Sequence, residues 1–302
     1  MSARAVLPES AIRIIGFVGL GNMGQPMSAC LLRDGFTVQG FDLAPAARDD
    51  LTAAGGQART SSAEAVRGAD LVILMLPGSD AVESVIDEDG FLGSLSPDAV
   101  IVDMSSSEPL RTRALAERLA AQGHTLLDAP VSGGVARARD GELTIMVGGA
   151  EKDVAFVTPV LKSMGNVTHA GPVGAGHAAK ALNNLMSAVH LLASSEAVIA
   201  GQRFGIDPET LLAIVNTSSG RSWSTEYKWP RFVLTETYNS GFSLGLMVKD
   251  MRIATGLASS LHSPCVLGEK ATELWARAAE ALPPNADHTE VARWVRMLGE
   301  DQ

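Results

Sequence analysis

Lys180 and Asn184 stand four residues apart in a segment whose apolar residues recur at helical spacing, so both side chains would share one helix face. A lysine in this position can exchange a proton with a substrate hydroxyl, and the asparagine can hydrogen-bond the same molecule. Lysine ordinarily titrates near a pKa of about 10.4, so burial or nearby positive charge must lower that pKa before lysine acts as a base at neutral pH. From the spacing alone, a solvated surface lysine is the commoner explanation, and only the motif around Lys180 favours the acid/base role.

A glycine-rich motif follows an apolar run at residues 12–18 and precedes an amphipathic stretch. Gly19 would permit a tight turn, Gly21 would let a pyrophosphate approach the backbone, and Gly24 would let a helix pack closely on the strand. The free N–H groups at the helix start suit phosphates. We therefore expect a dinucleotide to bind at the six motif residues: Gly19, Leu20, Gly21, Asn22, Met23 and Gly24.

Asp42 indicates which dinucleotide would bind. It ends a second apolar run about 20 residues after the motif, where a carboxylate accepts hydrogen bonds from the ribose hydroxyls of NAD and repels the extra phosphate of NADP. An NADP site usually shows an arginine here, and the nearest one is Arg48. The sequence favours NAD over NADP, although Asp42 could simply start a turn before Pro45.

Two further segments could bind an anion. Ser132, Gly133 and Gly134 follow an apolar run, and their N–H groups could converge on a carboxylate or could form an ordinary glycine turn. Arg221 lies near Trp223 in a segment rich in serine and glycine. Its guanidinium could bind a substrate carboxylate through two hydrogen bonds, or could make an interdomain contact.

The elements that must position these residues change character along the chain. Up to about residue 170, strand-like runs alternate with helical patterns, and the runs at 71–77 and 99–105 read as strands buried on both faces. From Ala175 to about Phe204 a single helical pattern continues, long enough for about 45 Å. Later helical patterns cover 207–216, 245–261, 264–281 and 287–298.

This pattern predicts an α/β fold class: an N-terminal doubly wound Rossmann-type domain, followed by an all-α domain joined through a long interdomain helix. We place the dinucleotide-binding domain at residues 1–171 and the helical substrate and oligomerisation domain at residues 172–302.

Composition excludes several classes of protein. The 302 residues are 46% hydrophobic, and the net charge of −10 disfavours nucleic acid as a partner. Two cysteines, Cys30 and Cys265, fit a reducing compartment. No apolar run reaches the roughly 20 residues needed to cross a membrane, and the first ten residues lack the apolar stretch of a signal peptide. These features together predict a cytoplasmic protein. The histidines show no metal-ligand spacing, so we expect no metal site.

Four motifs in a fixed order resemble the β-hydroxyacid dehydrogenase family, which includes 3-hydroxyisobutyrate dehydrogenases. They are the glycine motif, the segment from Asp128 to Gly134, the segment from Gly171 through Lys180 to Asn184, and Lys249-Asp250. The resemblance runs from about residue 12 to 298, and the segment 218–223 is most similar to the 3-hydroxyisobutyrate branch.

The resemblance implies a role for each matching residue. Lys180 would be the acid/base and Asn184 would orient the substrate, while Ser132, Gly133 and Gly134 would hold its carboxylate. The glycine motif would line the cofactor, together with Leu76, Pro77 and Ser106, and Lys249 would lie near the nicotinamide end.

These implications predict an enzyme that oxidises a small β-hydroxy acid to its semialdehyde with NAD, or runs the reverse reduction. Ser187 stands where the related decarboxylating enzymes carry a glutamate, which argues against decarboxylation. Two alternatives are an imine reductase and a non-catalytic NAD-binding protein. Relatives of both kinds carry no lysine at this position, so the presence of Lys180 argues against them. The long helix is rich in alanine and leucine and has more apolar surface than a small bundle needs, which indicates oligomerisation. The family resemblance implies a homodimer or homotetramer.

Overall fold

The computed structural model describes residues 12–299, which divide into two compact units, one ending at Lys180 and the other beginning at Ala181. The boundary that we place from the sequence at residues 171 and 172 lies at the end of the last strand of the first unit. The expectation about the first ten residues lies outside the described residues.

The first unit is built around one nine-stranded sheet. Its strands are β1 (Ile14–Val18), β2 (Thr37–Phe41), β3 (Gln57–Ala58), β4 (Leu71–Leu74), β5 (Val100–Asp103), β6 (Thr125–Asp128), β7 (Val131–Ser132), β8 (Leu143–Gly148) and β9 (Gly165–Gly171). Its helices are α1 (Gly24–Arg33), α2 (Pro45–Ala53), α3 (Ser62–Val66), α4 (Ser79–Ile86), α5 (Phe91–Ser94), α6 (Pro109–Ala120), α7 (Gly134–Asp140) and α8 (Glu151–Leu161).

The strand order confirms the doubly wound fold. Six neighbouring strands run parallel in the order β3-β2-β1-β4-β5-β6, so the chain reverses its direction of winding between β1 and β4. Strand β8 then pairs antiparallel with β6 and β7, and β9 pairs parallel with β8. Ligands of such sheets bind outside the carboxyl ends of the strands at this reversal.

Both faces of the sheet are covered by apolar side chains. In β4, Leu71 and Ile73 pack into one buried cluster while Val72 and Leu74 pack into the other. Since successive side chains of a strand point to opposite faces, this strand is buried on both sides, as its continuous apolar run predicts.

The second unit is helical, and α9 (Ala175–Phe204) enters it as one continuous helix of 30 residues, as the periodicity predicts. The other helical elements are α10 (Pro208–Asn216), a π-helix (Ser224–Val233), α11 (Leu244–Ser260), α12 (Val266–Ala281), a short 3₁₀ helix (His288–Glu290) and α13 (Val291–Leu298). Trp229 and Trp275 are the largest side chains that are fully buried in its core.

The π-helix is an element that our sequence analysis does not predict. Its wider turn does not follow the 3.6-residue period of an α-helix, and it contains Pro230. Among residues 12–299, no helix combines the length and apolar character needed to cross a bilayer.

Candidate active site

The glycine motif connects β1 to α1 in the way that its spacing predicts. A Cβ atom on Gly24 would lie only 1.9 Å from the carbonyl oxygen of Gly19, so only glycine allows this close approach. A Cβ on Gly21 would meet nothing within 4 Å, so its backbone is open to a ligand. Helix α1, all of whose residues are described, has no acidic side chain in its first turn. The loop therefore fits the phosphates of a dinucleotide, because the helix start is electropositive.

Asp42 follows β2 and accepts hydrogen bonds from its own turn and from the glycine motif. One carboxylate oxygen accepts the N–H of Leu20 at 2.8 Å, and the other accepts the N–H of Ala44 at 2.8 Å. The carboxylate therefore shapes the turn before Pro45 and also lies beside the glycine motif. Arg48 donates to the carbonyl oxygen of Asp42 at 2.6 Å, so this guanidinium contacts the same turn.

The other predicted cofactor residues follow neighbouring parallel strands. Leu76 and Pro77 come shortly after β4, and Ser106 comes shortly after β5. The N–H of Leu76 donates to the hydroxyl of Ser105 at 2.9 Å, which joins these two segments. They share the carboxyl edge of the sheet with the glycine motif, where a dinucleotide is expected. Their contacts with a cofactor stay a prediction.

The start of α9 is held by a buried carboxylate to which the sequence alone assigns no role. Asp128, at the end of β6, accepts the N–H of Gly174 at 2.6 Å and the N–H of His177 at 2.8 Å. A side-chain oxygen that accepts first-turn N–H groups stabilises a helix start, and a carboxylate gains further from the helix dipole. Lys180 lies within the next turn of the same helix.

His177 is buried and forms hydrogen bonds within the first unit. Its Nε2 is 3.1 Å from the carbonyl oxygen of Ser105, and its Nδ1 is 2.9 Å from the hydroxyl of Thr112. The carboxylates of Asp103 and Asp128 lie 3.7 and 3.8 Å from the ring nitrogens. This polar cluster ties the start of α9 to the ends of β5 and β6.

The Ser132-Gly133-Gly134 segment forms a turn between β7 and α7. Gly133 and Gly134 have φ angles of +136° and +69°, which L side chains rarely adopt, so the turn itself requires both glycines. Ser132 pairs with Thr144 of β8, which fixes the start of the turn. The turn's N–H groups suit an anion, and that role stays a prediction.

Lys180 is 8% exposed and Asn184 is also buried, which does not fit a solvated surface lysine. Within the second unit, the Asn184 amide donates to Asp250 on α11 at 2.6 Å. The ammonium of Lys249 lies 3.5 Å from the other oxygen of Asp250. Asp250 therefore orients Asn184, a role that the Lys249-Asp250 motif does not reveal without the fold.

Arg221 contacts a neighbour in its own segment. Its side chain is 63% exposed, and its Nε lies 2.8 Å from a carboxylate oxygen of Glu226. Trp223 stacks on Tyr227 with their ring centroids 4.5 Å apart. The ion pair explains how Arg221 is held, and its suggested substrate role stays a prediction.

The π-helix carries a buried amine that sequence reasoning does not single out. Lys228 is 7% exposed, and its ammonium donates to the hydroxyl of Ser187 on α9 at 2.7 Å. A lysine between two aromatic residues, Tyr227 and Trp229, is a weak signal in the sequence. Among residues 12–299, no group of three or more metal-binding side chains is arranged to hold an ion.

Two family descriptions match nearly the whole chain. Residues 14–171 match the NAD binding domain of 6-phosphogluconate dehydrogenase. Residues 174–295 match the family described as NAD-binding of NADP-dependent 3-hydroxyisobutyrate dehydrogenase.

Individual relatives cover a similar length. The chain is 37% identical over 290 residues to the mitochondrial 3-hydroxyisobutyrate dehydrogenase of Bos taurus, covering 93% of this chain and 86% of that protein. It is 39% identical over 282 residues to the 3-hydroxyisobutyrate dehydrogenase of Pseudomonas aeruginosa, covering 91% and 94%. It is 39% identical over 269 residues to an NAD-dependent L-serine dehydrogenase of the same organism, covering 86% and 90%.

Solved structures agree with this similarity. The Mycobacterium tuberculosis 3-hydroxyisobutyrate dehydrogenase with L-serine superposes with a TM-score of 0.90 at 34% identity, covering 94% of this chain and 99% of that chain. An imine reductase of Streptomyces aurantiacus superposes with a TM-score of 0.63 at 21% identity, covering 94% and 99%. The second likeness extends only to the fold.

Proposed function

Because this chain belongs to the 3-hydroxyisobutyrate dehydrogenase family and is an NAD-dependent dehydrogenase of a β-hydroxy acid, we propose that Lys180 is its general acid/base. The reaction converts the hydroxyl of the substrate to the carbonyl of a semialdehyde, or runs in reverse. The observation that carries the proposal is the burial of Lys180 and Asn184 on one face of α9.

Bound NAD⁺ supplies the acceptor for the hydride that leaves the carbinol carbon. In the oxidation, the neutral amine of Lys180 takes the hydroxyl proton as the carbonyl forms. In the reduction, its ammonium returns that proton to the carbonyl oxygen. This assistance is typically worth about 10²–10⁴ in rate.

We assign two groups to hold the substrate. The N–H groups of Ser132, Gly133 and Gly134 bind its carboxylate, and the amide of Asn184 binds near the reacting carbon. The hydrogen bond from Asn184 to Asp250 supports this assignment, because it fixes the amide before the substrate arrives. Lys249 lies next to Asp250, and we keep it as a residue of the nicotinamide end.

The first unit contains the residues that would hold NAD. The glycine motif receives the pyrophosphate, and Asp42 receives the adenine-ribose hydroxyls. Leu76, Pro77 and Ser106 follow β4 and β5, on the other side of β1 from Asp42, and line the cofactor there. The open backbone at Gly21 and the Asp42 carboxylate beside Leu20 support this arrangement.

A turnover screen tests the proposed function. NADH formation is followed at neutral pH with NAD⁺ and β-hydroxy acids of three to six carbons, for the parent and for Lys180→Ala. We expect at least one acid to be oxidised by the parent and the rate to fall in the variant. If the parent binds NAD⁺ and oxidises none of the acids, a non-catalytic protein is the better explanation. If it reduces a cyclic imine and the variant does so equally well, the lysine mechanism is wrong.

We also propose a cytoplasmic homodimer or homotetramer. The two cysteines, Cys30 and Cys265, are free thiols, which suits a reducing compartment. In the second unit, Leu182 and Met186 on α9 are exposed apolar side chains that a second copy could cover. Light scattering coupled to size exclusion tests the assembly, and a mass of one chain would contradict it.

A further inference from the structure

Lys228 brings a positive charge into the interior of the second unit. Its side chain is buried, and its ammonium donates to Ser187 at 2.7 Å. Withdrawing an ammonium from water is costly unless other groups compensate for the lost solvation. A buried ammonium beside a hydroxyl is therefore a candidate for binding an anionic group.

The π-helix determines where this amine lies. Lys228 precedes Trp229, which is fully buried in the core of the second unit. The Trp229 ring anchors the segment, so that the neighbouring amine is held against α9. Short stretches of π-helix occur frequently at functional sites.

Ser187 continues the polar face of α9 that we assign to the substrate. Lys180, Asn184 and Ser187 follow the spacing i, i+4, i+7, which keeps all three on one side of a helix. Ser187 lies about 4.5 Å beyond Asn184 along the helix axis, at a rise of about 1.5 Å per residue. A substituent two or three atoms long could span this distance.

His288 lies near Lys228 and does not add a second positive charge to this cluster. Burial, followed by the charge of Lys228, lowers the pKa of His288 to about 3, so the imidazole is neutral at physiological pH. Nδ1 lies 3.1 Å from the carbonyl oxygen of Phe242, which can only accept a hydrogen bond, so Nδ1 carries the proton. The neighbouring Asp287 accepts hydrogen bonds from Ser240, Gly241 and Thr289.

We propose that Lys228 and Ser187 bind a second acidic group of the substrate, so that the enzyme prefers a β-hydroxy acid whose 2-substituent ends in a carboxylate. This inference rests on the proposed function, because it assumes that Asn184 faces the substrate. An ammonium and a hydroxyl form charge-assisted hydrogen bonds with a carboxylate, whereas a methyl group forms none.

Binding of non-reacting ligands tests the inference without turnover. Calorimetry at saturating NAD⁺ compares 2-methylbutanedioate with 2-methylbutanoate, which replaces the second carboxylate by a methyl group. The parent should bind the diacid roughly tenfold to a hundredfold more tightly, the range expected for a hydrogen bond to a charged group. Lys228→Met should remove most of that ratio, and Lys228→Arg should keep more of it.

Lys270→Met is the matched control, since Lys270 is exposed and pairs with Glu273. Its ratio should equal that of the parent. Equal affinity of the parent for both ligands, no binding of the diacid, or an unchanged ratio in a folded Lys228→Met protein would each overturn the inference.

Turnover separates this inference from the proposed function. The same proteins are assayed with 2-(hydroxymethyl)butanedioate and 2-(hydroxymethyl)butanoate. Preferred oxidation of the diacid supports both statements. Oxidation of the monoacid alone contradicts the inference and leaves the proposed function standing. Tight, Lys228-dependent binding of the diacid with no oxidation of either compound supports the anion site and contradicts the proposed function.

Discussion

Replacing Asp128 by asparagine tests how the position of Lys180 is maintained. The carboxylate of Asp128 is fully buried, and its two oxygens accept the N–H groups of Gly174 and His177 at 2.6 and 2.8 Å. Lys180 lies one turn beyond His177 on α9. Loss of this anchor should therefore affect both the free energy of unfolding and catalysis.

The expected magnitude follows from these two hydrogen bonds. Asparagine has a single acceptor oxygen, and its amide nitrogen would face the second N–H donor. Loss of charge assistance in the retained bond costs about 1 kcal/mol, and the unpaired buried donor costs about 1–3 kcal/mol. We expect Asp128→Asn to lower the free energy of unfolding by about 2–4 kcal/mol. Because a displacement of about 1 Å can cost about 10² in rate, kcat should fall at least tenfold.

Urea unfolding and steady-state kinetics measure these two effects. Asp207→Asn provides the matched control, because Asp207 caps α10 at the surface by accepting the N–H of Thr210 at 2.8 Å. Asparagine is an equally good N-cap residue, so this variant should lose less than about 1 kcal/mol and keep its kcat. An Asp128→Asn protein as stable and active as the control would refute the reasoning.

Three other perturbations have defined outcomes. Lys180→Ala should lower kcat by about 10²–10⁴-fold with NAD⁺ binding intact. Lys180→Arg should not restore kcat, because arginine stays protonated. A folded Lys180→Ala enzyme with normal kcat contradicts the mechanism. The parent should prefer NAD over NADP by at least about tenfold in kcat/KM, and Asp42→Asn should narrow the gap; equal use of both cofactors by the parent rejects the assignment. Burial, and then the charge of Lys228, lower the pKa of His288 from 6.5 to about 3. Between these two pH values the unfolded chain binds a proton at His288 that the folded chain does not. The free energy of unfolding should therefore fall as pH drops from about 6.5 towards 3. Urea unfolding at several pH values should show a shallower fall for His288→Gln, and an identical pH dependence would contradict the protonation argument.

Local patterns in the sequence account for most of the fold. The continuous apolar run at residues 71–77 predicts a strand buried on both faces, and β4 packs into separate clusters on its two sides. The long helical pattern predicts α9 between its observed ends, Ala175 and Phe204. The π-helix is not predicted from the sequence, because its wider turn does not follow the helix or strand periods by which such elements are recognised.

Spacing also indicates which site residues share an element, but it does not identify their partners. Lys180 and Asn184 follow helical spacing, and α9 places both on one face. For Arg221, the sequence suggests that the guanidinium binds a substrate carboxylate. In the structure it pairs with Glu226, only five residues away. The Arg221–Glu226 ion pair is not predictable from this short separation, because it depends on the backbone conformation of the residues between them.

The sequence alone determined the glycine turn, the alternation of strands and helices and the family to which the chain belongs, because each depends on residue type and near-neighbour spacing. Only the tertiary structure decided which distant groups meet. Asp128 reaches the start of α9, Asp250 reaches Asn184, and Lys228 reaches Ser187. The physical reason is that buried polar groups must find partners, and those partners are selected by the packing of whole helices and strands rather than by local preference.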